Sequence, residues 1–327
     1  ALCTTGEYAT AALNGAGGTD AQKKAIILAI LNNNLTRANG IYERDFGVHM
    51  NFVTNETDII YLNAATDPWG AKSGWNTKTQ QTCDNQIGNA NYDIGHLITK
   101  AANDGNAGCI GCVCTSGSKG SGYTAHNDVE GDPLVVDYWT HEMGHQFGAN
   151  HTYTYVNEGS VVQVEPGSGS TIMGYAGITG STDVQAHSDD YFQAITISQV
   201  TDYIKTGNGS TCDVVTNTGD NLPTANAGAD YTIPKSTPFQ LTGTGTDADG
   251  GDVLSYCWEQ MDDYTAGSNT FPTASSASGP QFRSYSPNSS VTRVFPKLSS
   301  ILSGTNSNTW EVLSTANRTL SFRFTVR

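Results

Sequence analysis

His141, Glu142 and His145 stand in the spacing HExxH, and Gly148 and His151 follow at the next two positions of a longer pattern. If the segment begins as a helix, His141 and His145 share one face a turn apart, the separation at which two imidazoles can bind one ion. A straight helix rising ~1.5 Å per residue would carry His151 roughly 15 Å past His141, too far for a Zn–N bond of ~2.0 Å. The helix must therefore end between them. Gly148 is placed for this, because glycine takes positive φ at little cost and can turn the chain back. Three neutral imidazoles leave one zinc position open for water, as in a catalytic rather than a structural site. Glu142 is then beside the metal, where a general base is needed to take a proton from that water. The chain shows no serine nucleophile elbow and no Cys/His pair to support a covalent mechanism.

The extended pattern HExxHxxGxxH, with Thr171-Ile172-Met173-Gly174-Tyr175 farther on, resembles the metzincin metalloprotease signature. Residues 131–152, with 91–96 upstream, resemble the bacterial reprolysin-like branch related to the adamalysins. The resemblance implies an α/β metzincin catalytic domain, with a twisted, mostly parallel sheet, long helices and zinc in the cleft. It implies zinc ligation by His141, His145 and His151, with Met173 beneath them as a structural residue. Residues 92–98 are expected to be the edge strand along which an extended substrate pairs, and 174–187 the wall of the pocket after the scissile bond. His96 is read as a strand residue near the cleft. Two positions depart from the adamalysin pattern. Thr152 stands where those enzymes usually have Asp, and Tyr175 is similar to the astacin and serralysin tyrosine that can ligate zinc or hydrogen-bond the transition state. The resemblance also implies a calcium ion held by Glu7, Asp93 and backbone near Cys212, against the equal alternative that Glu7 is solvated and Asp93 caps a turn.

The chain has 327 residues and a net charge of −15 with only 16 Lys and Arg, which argues against nucleic acid or an anionic membrane surface as partner. No apolar run reaches the ~20 residues of a membrane span, and the chain opens without a basic then apolar leader. Such a chain reads as a mature, secreted monomer acting on protein or peptide substrates. Six of the seven cysteines precede residue 213, enough for three disulfides whose pairing spacing alone does not decide. Cys109, Cys112 and Cys114 lie in a Gly/Ser-rich loop without a second CxxC, so disulfides are favoured over a metal knuckle. Cys257 reads as a buried free thiol.

Thr19 and Asp20 are cap candidates for a long helix to about residue 42, with Ala25, Ile26, Leu28, Ala29, Ile30 and Leu31 as its apolar surface. Strands are expected at 1–8, 46–53, 58–62 and 92–98, helices at 79–87 and 188–204, and a hairpin at 153–164. After Asp132-Pro133, a helix should carry Val135, Trp139, Met143 and Phe147 on its core face, with His141 and His145 on the neighbouring stripe. From residue 222 short strand candidates at 231–233, 239–241, 253–258, 291–295, 309–312 and 320–326 alternate with turn clusters, the rhythm of an all-β sandwich. Residues 223–228 and the acidic loop 247–252 resemble PKD or immunoglobulin-like repeats, and that loop could equally hold calcium or be a solvated turn. The expected organisation is a catalytic domain over 1–213, a linker over 214–221 and a sandwich over 222–327. Because every proposed ligand precedes the sandwich, hydrolysis of short peptides should not require it.

The reading is a secreted zinc endopeptidase with Glu142 as base. The alternative is a secreted adhesion or matrix-binding protein with a structural zinc, and Glu142 discriminates, since a structural site has no use for it.

Overall fold

Leu2–Thr4 (β1) is buried at all three positions, as in a strand covered on both faces. The strand is shorter than its apolar stretch suggests, because Thr5 caps a helix, Gly6–Leu13 (α1), by accepting from the Tyr8 N–H. A capping box at Thr19 and Gln22 starts the long helix Asp20–Phe46 (α2), and Gly47 ends it at φ 66°. Its buried stripe is Ile27, Leu31, Leu35, Ala38, Ile41 and Tyr42, at helical spacing. Of the apolar run expected to face inward, Ala25, Ile26 and Ala29 are exposed, because one helix face cannot bury consecutive residues. The computed structural model describes residues 1–264 and 270–327.

Contacts group the chain into two units, Ala1–Ala149 with Ser198–Val214, and Asn150–Ile197 with Val215–Arg327. In the first, a four-stranded sheet has the order β1-β2-β4-β3, where β2 is His96–Lys100, β3 Asp104–Asn106 and β4 Gly122–His126. The pairs β1–β2 and β2–β4 are parallel, and β3 runs antiparallel to β4. This corrects the expected edge strand at 92–98: β2 begins at His96 and lies between two neighbours, while the outer strands are β1, which is buried, and β3. His96 is buried, with Nδ1 2.8 Å from Gln146 Oε1 and Nε2 2.9 Å from Thr124 Oγ1. Its burial lowers its pKa to about 4, so it is a neutral structural clamp.

Residues 46–53 and 58–62 are not strands. Glu56–Ile59 is a 3-10 turn, pinned where Glu56 Oε1 accepts the Leu2 N–H at 2.7 Å, and the only pairing of this region with β1 is one bridge from Thr4 to Ile60. Ile59 and Ile60 are both buried, which a strand with one covered face does not allow. The next helix, Trp75–Thr82 (α3), begins earlier than expected and continues as a π-helical turn, Cys83–Ile87.

In the second unit, residues 153–164 form no hairpin; their ladder is a single bridge, Tyr153 to Glu165. Farther on, short antiparallel pairs join Thr224–Asn226 (β5) with Thr244–Thr246 (β7), Phe239–Thr242 (β6) with Thr292–Phe295 (β9), Tyr256–Gln260 (β8) with Phe322–Val326 (β12), and Ser307–Asn308 (β10) with Glu311–Val312 (β11). Trp258, Phe282, Phe295, Leu313 and Phe324 form their core. The candidate strand at 231–233 is irregular, with Tyr231 exposed.

These strands also brace residues 150–197. The Ala194 N–H donates to Glu259 Oε2 at 2.9 Å, Tyr191 Oη to Ser284 Oγ at 2.7 Å, and the Gln163 N–H to Asp263 Oδ1 at 2.9 Å. Trp310 packs so close to Gly167 that a Cβ there would lie 2.5 Å from its ring. Gln163, Tyr191 and Ala194 thus share hydrogen bonds with the region after 222. A chain ending near residue 221 is expected to leave residues 150–193 open to an added protease and to bind less than one equivalent of zinc. Limited proteolysis and metal analysis against the full chain check this, and equal resistance with full zinc content would show those contacts to be dispensable.

Candidate active site

The residues around His141 form one helical run built in three pieces, Asp132–Leu134 (α4), the π-helical Val135–Thr140, and His141–Gln146 (α5). Pro133 starts it where a missing N–H costs nothing. The wider π turns shift the register, so i+4 counting from Val135 does not separate a core face from a metal stripe. Leu134, Val135, Val136, Trp139 and every residue from His141 to Gln146 are buried. A π segment immediately before the first histidine is the kind of irregularity common at functional sites.

The run stops at Phe147. Gly148 adopts φ 97°, and the Ala149 N–H returns to Gly144 O at 3.0 Å. His145 Nδ1 lies 2.7 Å from Ala149 O. A carbonyl only accepts, so Nδ1 carries the proton and Nε2 presents its lone pair. His151 Nδ1 lies 2.9 Å from Glu158 Oε2, which likewise leaves Nε2 as the ligating atom. Tyr153 Oη approaches the same Nδ1 at 2.9 Å and donates to Glu158 Oε1. One ligand nitrogen from each of His141, His145 and His151 comes within 4.8 Å of the others. Three imidazoles, two with their tautomers set from outside, are a donor set that fits zinc.

Glu142 is buried beside this set, 7% exposed. Burial, and then the negative charge of Asp104, push its carboxyl up to about 8, against a hydrogen bond from the Ala107 N–H that favours the charged form. A cation at the histidines would draw it back down. Gly105 on β3 makes room for the carboxylate, since a Cβ there would stand 2.2 Å from Glu142 Oε1. Asp104 is itself held by Tyr123 Oη at 3.0 Å and by an ion pair with Lys72.

Met173 is fully buried, and its carbonyl accepts from the Thr152 N–H at 3.1 Å. The ring of Tyr175 packs edge-on to His151 with centroids 4.6 Å apart, and Tyr153 and Tyr155 adjoin it. The remaining predicted ligands are not gathered into a side-chain metal cluster. Glu7 is exposed in the first turn of α1 rather than in the first strand, Asp93 is exposed, and Cys212 is bonded to Cys114. A second acidic group among the described residues, Asp220, Asp249 and Asp252, lies at the acidic loop on the surface. The cysteine-rich loop holds the disulfides Cys109–Cys112 and Cys114–Cys212, and Cys257 is a buried thiol donating to Tyr285 O.

The sequence profile of metallo-peptidase family M12B, reprolysin-like, matches residues 3–203, which include all of these histidines, Met173 and Tyr175. The chain belongs to that family. Its members use zinc, and the triad His141, His145 and His151 lies within the matched residues. A comparison with curated proteins gave no match. Among the described residues no helix is long and apolar enough to cross a membrane.

Sequence reasoning missed Glu158, Glu165, Asp104 and Gly105. A carboxylate seven residues after His151 is a weak signal inside a polar turn, and Asp104-Gly105-Asn106 reads as a turn rather than a strand. Replacing Glu158 by Ala removes the acceptor that orients His151. Chelator competition is expected to show zinc affinity falling roughly 10- to 100-fold, with the fold kept because Glu158 is partly exposed. Unchanged affinity would reduce Glu158 to a surface contact.

Proposed function

We propose that this metallopeptidase is a secreted zinc endopeptidase of the metzincin kind, with Glu142 as its general base. The observation that supports this most directly is the pairing of a buried Glu142 with an edge strand whose Gly105 leaves space at the carboxylate. A site that used zinc only to stiffen the fold would gain nothing from burying an unpaired-in-charge carboxylate against Asp104. The two disulfides and the acidic composition support an extracellular setting.

An extended peptide adds to β3 by main-chain pairing, which brings a scissile carbonyl to the histidines. Zinc, when bound there, supplies a Lewis acid and lowers the pKa of water toward ~7. Glu142 takes one proton from the attacking water as the new C–O bond forms. It then passes that proton to the amide nitrogen as the C–N bond breaks, and the water's second proton follows to the leaving amine, so that water and peptide become a carboxylate and an ammonium group. His145 and His151 are kept in one tautomer by Ala149 O and Glu158 throughout. In this reading Tyr175, whose ring packs on His151, donates its hydroxyl to the charge that develops on the carbonyl oxygen. Residues 1–213 carry this apparatus, and 222–327, after a linker at 214–221, form an immunoglobulin-like sandwich of the PKD type, supported by the antiparallel pairs around Trp258 and Phe295.

Glu142→Ala is expected to keep zinc and fold while cleavage of a peptide library falls by at least about 100-fold; substantial chelator-sensitive cleavage by this variant would sink the mechanism. Tyr175→Phe is expected to show a smaller loss confined to kcat, with KM unchanged. An unchanged kcat would make that hydroxyl structural.

A further inference from the structure

Cys3 is the middle residue of β1, and Cys83 opens the π turn after α3. Both are fully buried, and their Sγ atoms lie 3.7 Å apart. They share an apolar cluster with Ile59, Trp69, Ile87 and Leu97, and among the described residues neither belongs to a group that could hold a metal ion. The backbone around Cys83 holds its sulfur in place. A Cβ on Gly95 would stand 2.8 Å from that Sγ, and one on Gly120 would stand 3.3 Å from the Cys83 Cβ, so glycine backbone packs closely against this side chain. In the same unit Cys109 is bonded to Cys112 and Cys114 to Cys212, so the chain matures where thiols are oxidised.

We propose that Cys3 and Cys83 form a third disulfide, joining the first strand of the sheet to the helical segment that leads into β2. A disulfide needs S–S of ~2.05 Å, so each sulfur has to move by only about 0.8 Å. The two thiols together give up two protons and two electrons to a small-molecule or protein disulfide, which leaves as two thiols by exchange through a mixed disulfide. Neither sulfur has any exposed surface in the folded chain, and burial raises the Cys3 thiol well above its ordinary pKa, so the exchange takes place before β1 docks. The bond complements the polar anchors of the same strand, where the Ala1 ammonium donates to Ile94 O at 2.8 Å and the Leu2 N–H to Glu56. It also closes a loop between residues 80 apart, the length at which a cross-link constrains the unfolded chain strongly. Of the seven cysteines only Cys257 then remains a thiol.

The test is to refold the full chain through a glutathione redox buffer, denature it without reductant, alkylate it with iodoacetamide and weigh it. One adduct, on Cys257, is expected, together with a digest peptide pair linked between Cys3 and Cys83 that disappears on reduction. More than one adduct, or any other partner for Cys3, overturns the proposal.

Discussion

The carboxylate of Glu165 is the constraint on which the segment carrying His151 depends. It is almost fully buried and accepts from Thr152 Oγ1 at 2.6 Å, Thr171 Oγ1 at 2.5 Å, the Ser170 N–H at 3.0 Å and the Thr171 N–H at 3.2 Å. Its own N–H returns to Thr152 O. An unsatisfied buried carboxylate costs several kcal/mol, so the four donors form one cooperative knot. That knot ties the residue after His151 to the turn that leads to Met173. Where adamalysins usually place an acid after the third histidine, this chain places a hydroxyl, and the carboxyl group comes from Glu165.

Residues 150–193 have almost no regular secondary structure of their own, yet their buried backbone groups still need partners. The β-rich region supplies many of them. Glu259, on β8, is completely buried and accepts from the Ala194 N–H and Ser284 Oγ; burial pushes its carboxyl up to about 7 although Arg327 opposes the shift. A loop-built wall can be positioned this way as firmly as one made of helices, provided its donors and acceptors are answered from another element.

In the other unit, precision comes from packing. The π turns before His141, the close approach of Gly105 to Glu142 and the clamp of His96 on Gln146 fix the helix against the sheet. Catalysis of amide hydrolysis tolerates little play between base and reacting atom, where ~1 Å of misplacement can cost ~100-fold.

The sequence by itself determined what depends on neighbours along the chain. The pairing of His141 with His145, the need for a glycine before the third histidine and the Thr19 cap follow from helix geometry and backbone φ, which act over a few residues. The strand rhythm after 222 was legible for β6, β8, β9 and β12 because alternation and turn residues are local too. The tertiary structure decided which strands are outermost, since β2 and β3 differ in their neighbours rather than in their residues, and it drew Asp58 and Ile59 into a 3-10 turn while burying both Ile59 and Ile60. Only tertiary structure could show that Glu158 answers His151, that Glu165 answers Thr152 and Thr171, and that Glu259 answers Ala194. A carboxylate's role is set by the donors brought to it through space, and nothing in its own stretch of chain encodes them.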